Sequence, residues 1–224
     1  MLLAMSADNR SLAGWWLEQQ LWQRGYSPLA GVDEAGRGAL AGPVVAAAVV
    51  LPYAADYPFA DSKSLSPARR SQLAADIKAC ALAWAVGQAS AAEVDRYNVL
   101  QASKLASLRA LAALPFAPAG LVTDFLKLAW PGAVLAVAKA DAQSYQVAAA
   151  SILAKVSRDA LMVTLDRHYP HYGFARHKGY GSSQHLQALQ HYGICPAHRH
   201  SFRPVATLQQ GQLFPAKPLS EPHS

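Results

Sequence analysis

The chain has two cysteines in 224 residues, Cys80 and Cys195, too few and too far apart for a disulfide framework. It has no uncharged apolar stretch of about 18 residues, so a membrane-spanning helix is not expected. The opening residues MLLAMSADNR lack the basic and long apolar segments of a secretory signal. There is no internal repeat. Together these absences point to a reduced, cytoplasmic protein. What is present is apolar: hydrophobic residues make up 52% of the chain, enough at this length for one domain with a sizeable core. The net charge is +6, unevenly placed. Residues 1–149 are nearly balanced, with 12 basic and 11 acidic side chains, whereas residues 150–205 hold seven basic and two acidic ones. All eight histidines fall in the last 57 residues. A basic C-terminal half suits a polyanion, or equally a solubilising surface.

Hydrophobic periodicity predicts an N-terminal helix over about 12–24, ended by Gly25, then strands over 29–33 and 44–51. The short link through Gly42-Pro43 makes these two an antiparallel pair. Ser66-Pro67 caps a helix running to about residue 80. A strand over 83–89 follows, then a helix opened by Asn98 and ended near Pro115. Short strands over 121–124 and 134–138 lead into a long helix over 143–168, and a last short helix spans about 184–191. Strands come first and then alternate with helices, which implies an α/β layer with a mixed sheet. After Val205 the sequence has three prolines and little periodicity, so 206–224 reads as a mobile tail beyond a domain of residues 1–205.

Residues 31–45 read GVDEAGRGALAGPVV. An apolar entry delivers Asp33 and Glu34 together, and a Gly-Arg-Gly turn follows. Acids at the end of a buried strand are costly unless something pairs with them, and a divalent cation is the common solution when two converge. The glycines allow a backbone to approach a phosphate closely, with Arg37 between them. Asp124 and Asp141 have the same setting, each close after a predicted strand, where α/β sheets place their sites. Four such acids suit two cations about 3.5–4 Å apart, one activating water and the other stabilising a leaving 3′ oxygen. Neighbouring strand residues face opposite sides, so the strand is expected to end or twist at Asp33-Glu34.

Six blocks then carry a resemblance: GVDEAGRGALAGPVV, ADSKSLS (60–66), NVLQASKLASLRAL (98–111), AAASILAKVSRD (148–159), GFARHKGYG (173–181) and HRHSFRPV (198–205). In this order they resemble ribonuclease HII, the type 2 ribonuclease H family. The resemblance implies a ribonuclease H-like α/β fold with a helical C-terminal part. It also implies a metal-dependent endonuclease that hydrolyses the RNA strand of RNA–DNA hybrids. Such an enzyme also cuts 5′ to ribonucleotides embedded in duplex DNA, as ribonucleotide excision requires, and leaves 3′-hydroxyl and 5′-phosphate ends. It implies two Mg²⁺ or Mn²⁺ ions on Asp33, Glu34, Asp124 and Asp141, and assigns Gly36, Arg37, Gly38 and Tyr180 to the ribonucleotide at the RNA–DNA junction. A 2′-hydroxyl is all that separates the two sugars, and a glycine-turn backbone can bond it while a Tyr ring stacks on the next deoxyribose. Lys63 and Lys178 are phosphate-contact candidates. Two contexts depart from the family: Ala140 stands where Gly is usual, and Asp124 sits in Thr-Asp-Phe. A monomer is expected.

Other readings compete. Gly36 to Ala41 fits G-x-G-x-x-[GA], a dinucleotide fingerprint that requires a helix after the glycines. Cys195, His198 and His200 have loose zinc-ligand spacing without a second nearby cysteine. A nucleic-acid-binding module without catalysis would explain the basic half, though not four convergent acids. Gln210, Leu213 and Phe214 form a Gln-x-x-Leu-Phe peptide of the kind that docks on bacterial sliding clamps.

Overall fold

A computed structural model describes residues 13–53, 56–59 and 65–209. The elements in chain order are α1 (Trp16–Trp22), β1 (Leu29–Ala35), β2 (Val44–Val50), α2 (Pro67–Cys80), β3 (Ala83–Ala89), α3 (Ala91–Ala112), β4 (Gly120–Asp124) and β5 (Ala133–Val137). After a 3₁₀ turn, Ala140–Ala142, come α4 (Tyr145–His168), α5 (Phe174–His177), α6 (Ser183–Tyr192) and α7 (Arg203–Gln209). Five strands form one mixed sheet in the order β3-β2-β1-β4-β5. The first three are antiparallel neighbours, and β4 and β5 run parallel to β1. Among the described residues no helix is long and apolar enough to cross a membrane.

The layering follows from side-chain size. β2 reads VVAAAVV and is buried throughout, because helices cover both of its faces. Ala47 and Val49 pack with Leu153 and Ile152 of α4 and with Leu73 and Ile77 of α2. Ala46 faces Ala102 and Ala106 of α3 on the other side, and Ala48 and Val50 pack there with Ala110 and Leu111. Gly31 lets α4 press directly on β1: a Cβ there would lie 2.2 Å from the Gln146 backbone. A separate core, built on Leu40, Met162, Phe174, Leu189 and Val205, binds α5, α6 and α7 to the end of α4. This is the helical C-terminal part.

Several expectations need correction. β1 does not stop at Asp33; it runs to Ala35, with Asp33 opposite Ala47 and Glu34 opposite Ala46. Asn98 opens only the second half of α3; it sits at φ 67°, ψ 164° where two helical segments meet, and the segment before it was not expected. Its side chain still caps the second, accepting from Leu100 N at 3.0 Å and Gln101 N at 3.1 Å. The first segment starts on a Ser90–Glu93 capping box. Residues 206–209 belong to α7 rather than to a tail. Residues 44–50 are a strand, which removes the dinucleotide reading. Ala140 is accommodated because the left-handed position falls on Lys139, at φ 58°.

Candidate active site

The parallel strands β1, β4 and β5 end on one edge of the sheet, so Asp33, Glu34 and Asp124 arrive together. All three line a cavity of about 460 Å³ with Gly36, Arg37, Gly38, Ser151, Lys155 and Tyr180. Asp141 is buried in the 3₁₀ turn after β5 and is not among the residues lining this cavity. The turn is tied to the site through Asp124, whose Oδ1 accepts from Ala140 N at 3.2 Å.

The carboxylates are crowded. Burial, then the charges of Glu34 and Asp124, push the Asp33 carboxyl well above the usual range, against hydrogen bonds from Ser151 and the Glu34 amide. Glu34 pairs with Arg37 at 3.2 Å. Lys155 faces the cavity but is bound to Asp159 at 2.7 Å. As the side chains stand, no three Asp, Glu, His or Cys groups among the described residues are grouped to hold a metal ion. One oxygen of Glu34 is held by Arg37 and one of Asp124 by the Ala140 amide. The donor set fits a hard divalent cation: it is all oxygen, and the crowding is of one sign.

The glycine turn is held from beneath. Arg158 and Arg199 are fully buried, and their hydrogen bonds go to carbonyls. Arg199 donates to Arg37 O at 2.8 Å and, through Nε and Nη2, to Gly42 O at 3.0 and 2.9 Å. Arg158 donates to Ala41 O, Pro43 O and Lys178 O at 3.2, 2.9 and 2.9 Å, and its guanidinium carbon lies 5.4 Å from the Tyr180 ring centre. Gly36, at φ +94°, cannot be replaced without displacing this guanidinium, since a Cβ would lie 1.9 Å from Arg158 Nε. Burial and the neighbouring Arg158 charge lower Arg199 to about 10, which leaves it charged at neutral pH.

Lys178 lies outside the first cavity. With Arg70, Lys155 and Arg176 it lines a second groove of about 540 Å³, between α2 and α4, and Lys155 borders both spaces. Lys63, Gln210, Leu213 and Phe214 lie outside the described residues. Cys195 and His198 are in contact, but no metal-holding group of three forms around them among the described residues. Sequence reasoning did not single out Ser151, Lys155, Arg158 or Arg199. The first three recur four and three residues apart along α4, a spacing that puts them on one helical face.

Acids gathered at the carboxyl edge of such a mixed sheet, beside a glycine turn, fit a metal-dependent nuclease of the ribonuclease H class. Comparison with known proteins makes this specific. The family model described as Ribonuclease HII matches residues 30–205, and the chain belongs to that family. Ribonuclease HII of Thermus thermophilus is 56% identical over 202 residues, 90% of this chain and 98% of the relative. Ribonuclease H2 of Pyrococcus horikoshii superposes with a TM-score of 0.69 at 27% identity, over 82% of this chain and 97% of the other. Ribonuclease HII in the PCNA:RNase HII complex of Archaeoglobus fulgidus gives 0.68 at 26%, over 83% and 98%. The family acts on RNA–DNA hybrids and depends on divalent metal.

Proposed function

We propose that this chain hydrolyses the RNA strand of RNA–DNA hybrids and also cuts 5′ to single ribonucleotides in duplex DNA, leaving 3′-hydroxyl and 5′-phosphate ends. Asp33, Glu34, Asp124 and Asp141 would hold two Mg²⁺ or Mn²⁺ ions. The observation that carries this reading is the sharing of one cavity by three of those carboxylates, the Gly36-Arg37-Gly38 turn and the Tyr180 ring. Bound divalent cations would activate the attacking water and stabilise the leaving oxygen. The chain's own groups do the rest. The turn offers backbone amides to the ribose 2′-hydroxyl and the adjoining phosphate, with Arg158 and Arg199 keeping it in place. The Tyr180 ring, 40% exposed, offers a stacking face to the following sugar. Asp33 stays oriented through Ser151 and the Glu34 amide, which donates to Asp33 Oδ1 at 2.7 Å.

The groove lined by Arg70, Arg176 and Lys178 extends positive charge from the cavity and suits the phosphate backbone of the duplex. The test of the whole reading is cleavage of a duplex carrying one ribonucleotide, with the cut mapped, in Mg²⁺, in Mn²⁺ and in chelator. A cut 5′ to the ribonucleotide, absent in chelator, is the expected result. No cleavage, or a cut elsewhere, overturns it.

The Archaeoglobus fulgidus relative is known in complex with PCNA, a sliding clamp. On that likeness residues 210–214 are proposed to dock on the clamp of this chain's own cell. Calorimetry should detect the intact chain binding its clamp and no binding once residues 210–224 are removed; equal binding by both refutes the assignment.

A further inference from the structure

Three histidines lie beneath Tyr180, and the backbone around them dictates where their protons are. His185 Nδ1 lies 2.9 Å from the Tyr180 carbonyl oxygen. A carbonyl only accepts, so Nδ1 carries the hydrogen. His198 Nδ1 lies 3.0 Å from the Cys195 amide nitrogen, a group that only donates, so this Nδ1 is bare. It also stands 3.2 Å from the Cys195 carbonyl, which accepts from the His198 amide at 3.0 Å, but a hydrogen on Nδ1 would oppose the Cys195 N–H that points at that nitrogen. The Cys195 thiol, at 3.2 Å, can add a second donor to the same nitrogen. The two Nε2 atoms face each other at 3.0 Å. A neutral imidazole has one N–H, so the two ends force the middle: His198 Nε2–H donates to a bare His185 Nε2. A proton added to His185 would set two N–H groups against each other there, and one added to His198 would set Nδ1–H against the Cys195 amide. His177, stacked on His185 at 4.4 Å, obeys the same logic: its Nδ1 accepts from Gly179 N at 3.2 Å, so its Nε2–H donates to Tyr172 O at 2.7 Å. His185 and His198 are 0% and 1% exposed, and burial lowers both to about 4.

We propose that His198 and His185 are positioning residues: a one-way hydrogen-bond relay from the Cys195 amide to the Tyr180 carbonyl that sets the Tyr180 ring in the cavity. The proposal rests on the reading of Tyr180 as the group that faces the RNA–DNA junction. The relay links the backbone of the segment after α6 to the substrate wall of the site. It explains why buried, uncharged histidines sit where apolar side chains would otherwise complete the core. Neither ring touches the reacting atoms, so any effect on cleavage must pass through Tyr180.

Two measurements on the full chain separate the relay from its role. Nitrogen-15 spectra of histidine-labelled protein at neutral pH should show His185 protonated at Nδ1, His198 at Nε2, and a scalar coupling between the two Nε2 atoms. A proton on His185 Nε2, or an imidazolium at either ring, overturns the relay. Single-turnover rates should then be compared on a duplex with one ribonucleotide and on an all-RNA hybrid strand. His185→Phe should lower the first rate relative to the second by roughly tenfold. His185→Asn, whose amide can still donate to the Tyr180 carbonyl, should restore much of that ratio. In a Tyr180→Ala background His185→Phe should change the ratio no further. Equal loss on both substrates, or the same loss in the Tyr180→Ala background, makes the histidines merely structural and overturns the role. If Tyr180→Ala itself leaves the ratio unchanged, the junction reading of Tyr180 fails, while the nitrogen spectra still decide the relay.

Discussion

At Asp33 the proposed chemistry and the stability of the fold pull apart. It is buried next to Glu34 and Asp124, so without cations its charge opposes folding. Asp33→Asn keeps the shape and removes the charge. Cleavage of hybrid and single-ribonucleotide substrates should fall more than about 100-fold, since changes to supporting residues alone cost metal sites roughly 10–100-fold. Measured in chelator, the thermal midpoint should rise by about 3 °C. Retained Mg²⁺-dependent cleavage in a folded Asp33→Asn protein would remove Asp33 from the site. At this scale the sequence was informative about which residues line the cavity. Two adjacent acids before Gly-Arg-Gly announce themselves, whereas Arg158 and Arg199 look like ordinary surface cations. Their role comes from burial against carbonyls more than 100 residues away, which no local pattern encodes.

Between elements, the contact of α1 with the start of α4 has its own pH dependence. Glu18 of α1 is buried and accepts a short hydrogen bond from Ser144, the N-cap of α4. Burial raises its carboxyl to about 7, against the Ser144 and Gln146 hydrogen bonds. The native state therefore keeps the proton over a range where the unfolded chain, near 4.5, has lost it. This stabilisation is complete below about 4.5 and is lost as the pH rises through about 7. His185 and His198 act in the opposite sense, because their lowered values make stability fall as the pH drops from about 6.5 toward 4. Glu18→Gln isolates the first effect. From pH 5 to pH 8, wild type should lose stability relative to the variant in urea unfolding; a constant difference over that range would show that Glu18 does not titrate there. The elements themselves were legible where one signal dominated. β3 falls at 83–89 as its alternation predicts, and α2 starts at the Ser66-Pro67 cap. They were misread where two signals met. Asn98 is both a cap and a positive-φ junction, so it hid the turns before it. Three prolines and weak periodicity after Val205 read as a tail from residue 206, whereas α7 continues to Gln209.

For the molecule as a whole, the basic excess of residues 150–205 resolves into two distinct uses. Arg158 and Arg199 are spent internally, on carbonyls under the glycine turn, and cannot reach a phosphate directly. Arg176 and Lys178 join Arg70 of α2 along the second groove, where Asp159 is the lone acid among the described residues and is paired with Lys155. Net charge could not reveal this division, because it depends on which cations the fold buries. The consequence is a difference in salt response. Each phosphate neutralised by an exposed cation contributes about 0.9 to the slope of log affinity against log salt. The pair Arg70→Ala and Arg176→Ala should weaken binding of hybrid and all-DNA duplexes alike and lower that slope by about 2, because backbone contacts carry no sequence or sugar information. Fluorescence anisotropy with a fixed duplex at several salt concentrations provides the measurement. An unchanged slope, or a loss confined to the hybrid, would mean that the duplex does not follow this groove.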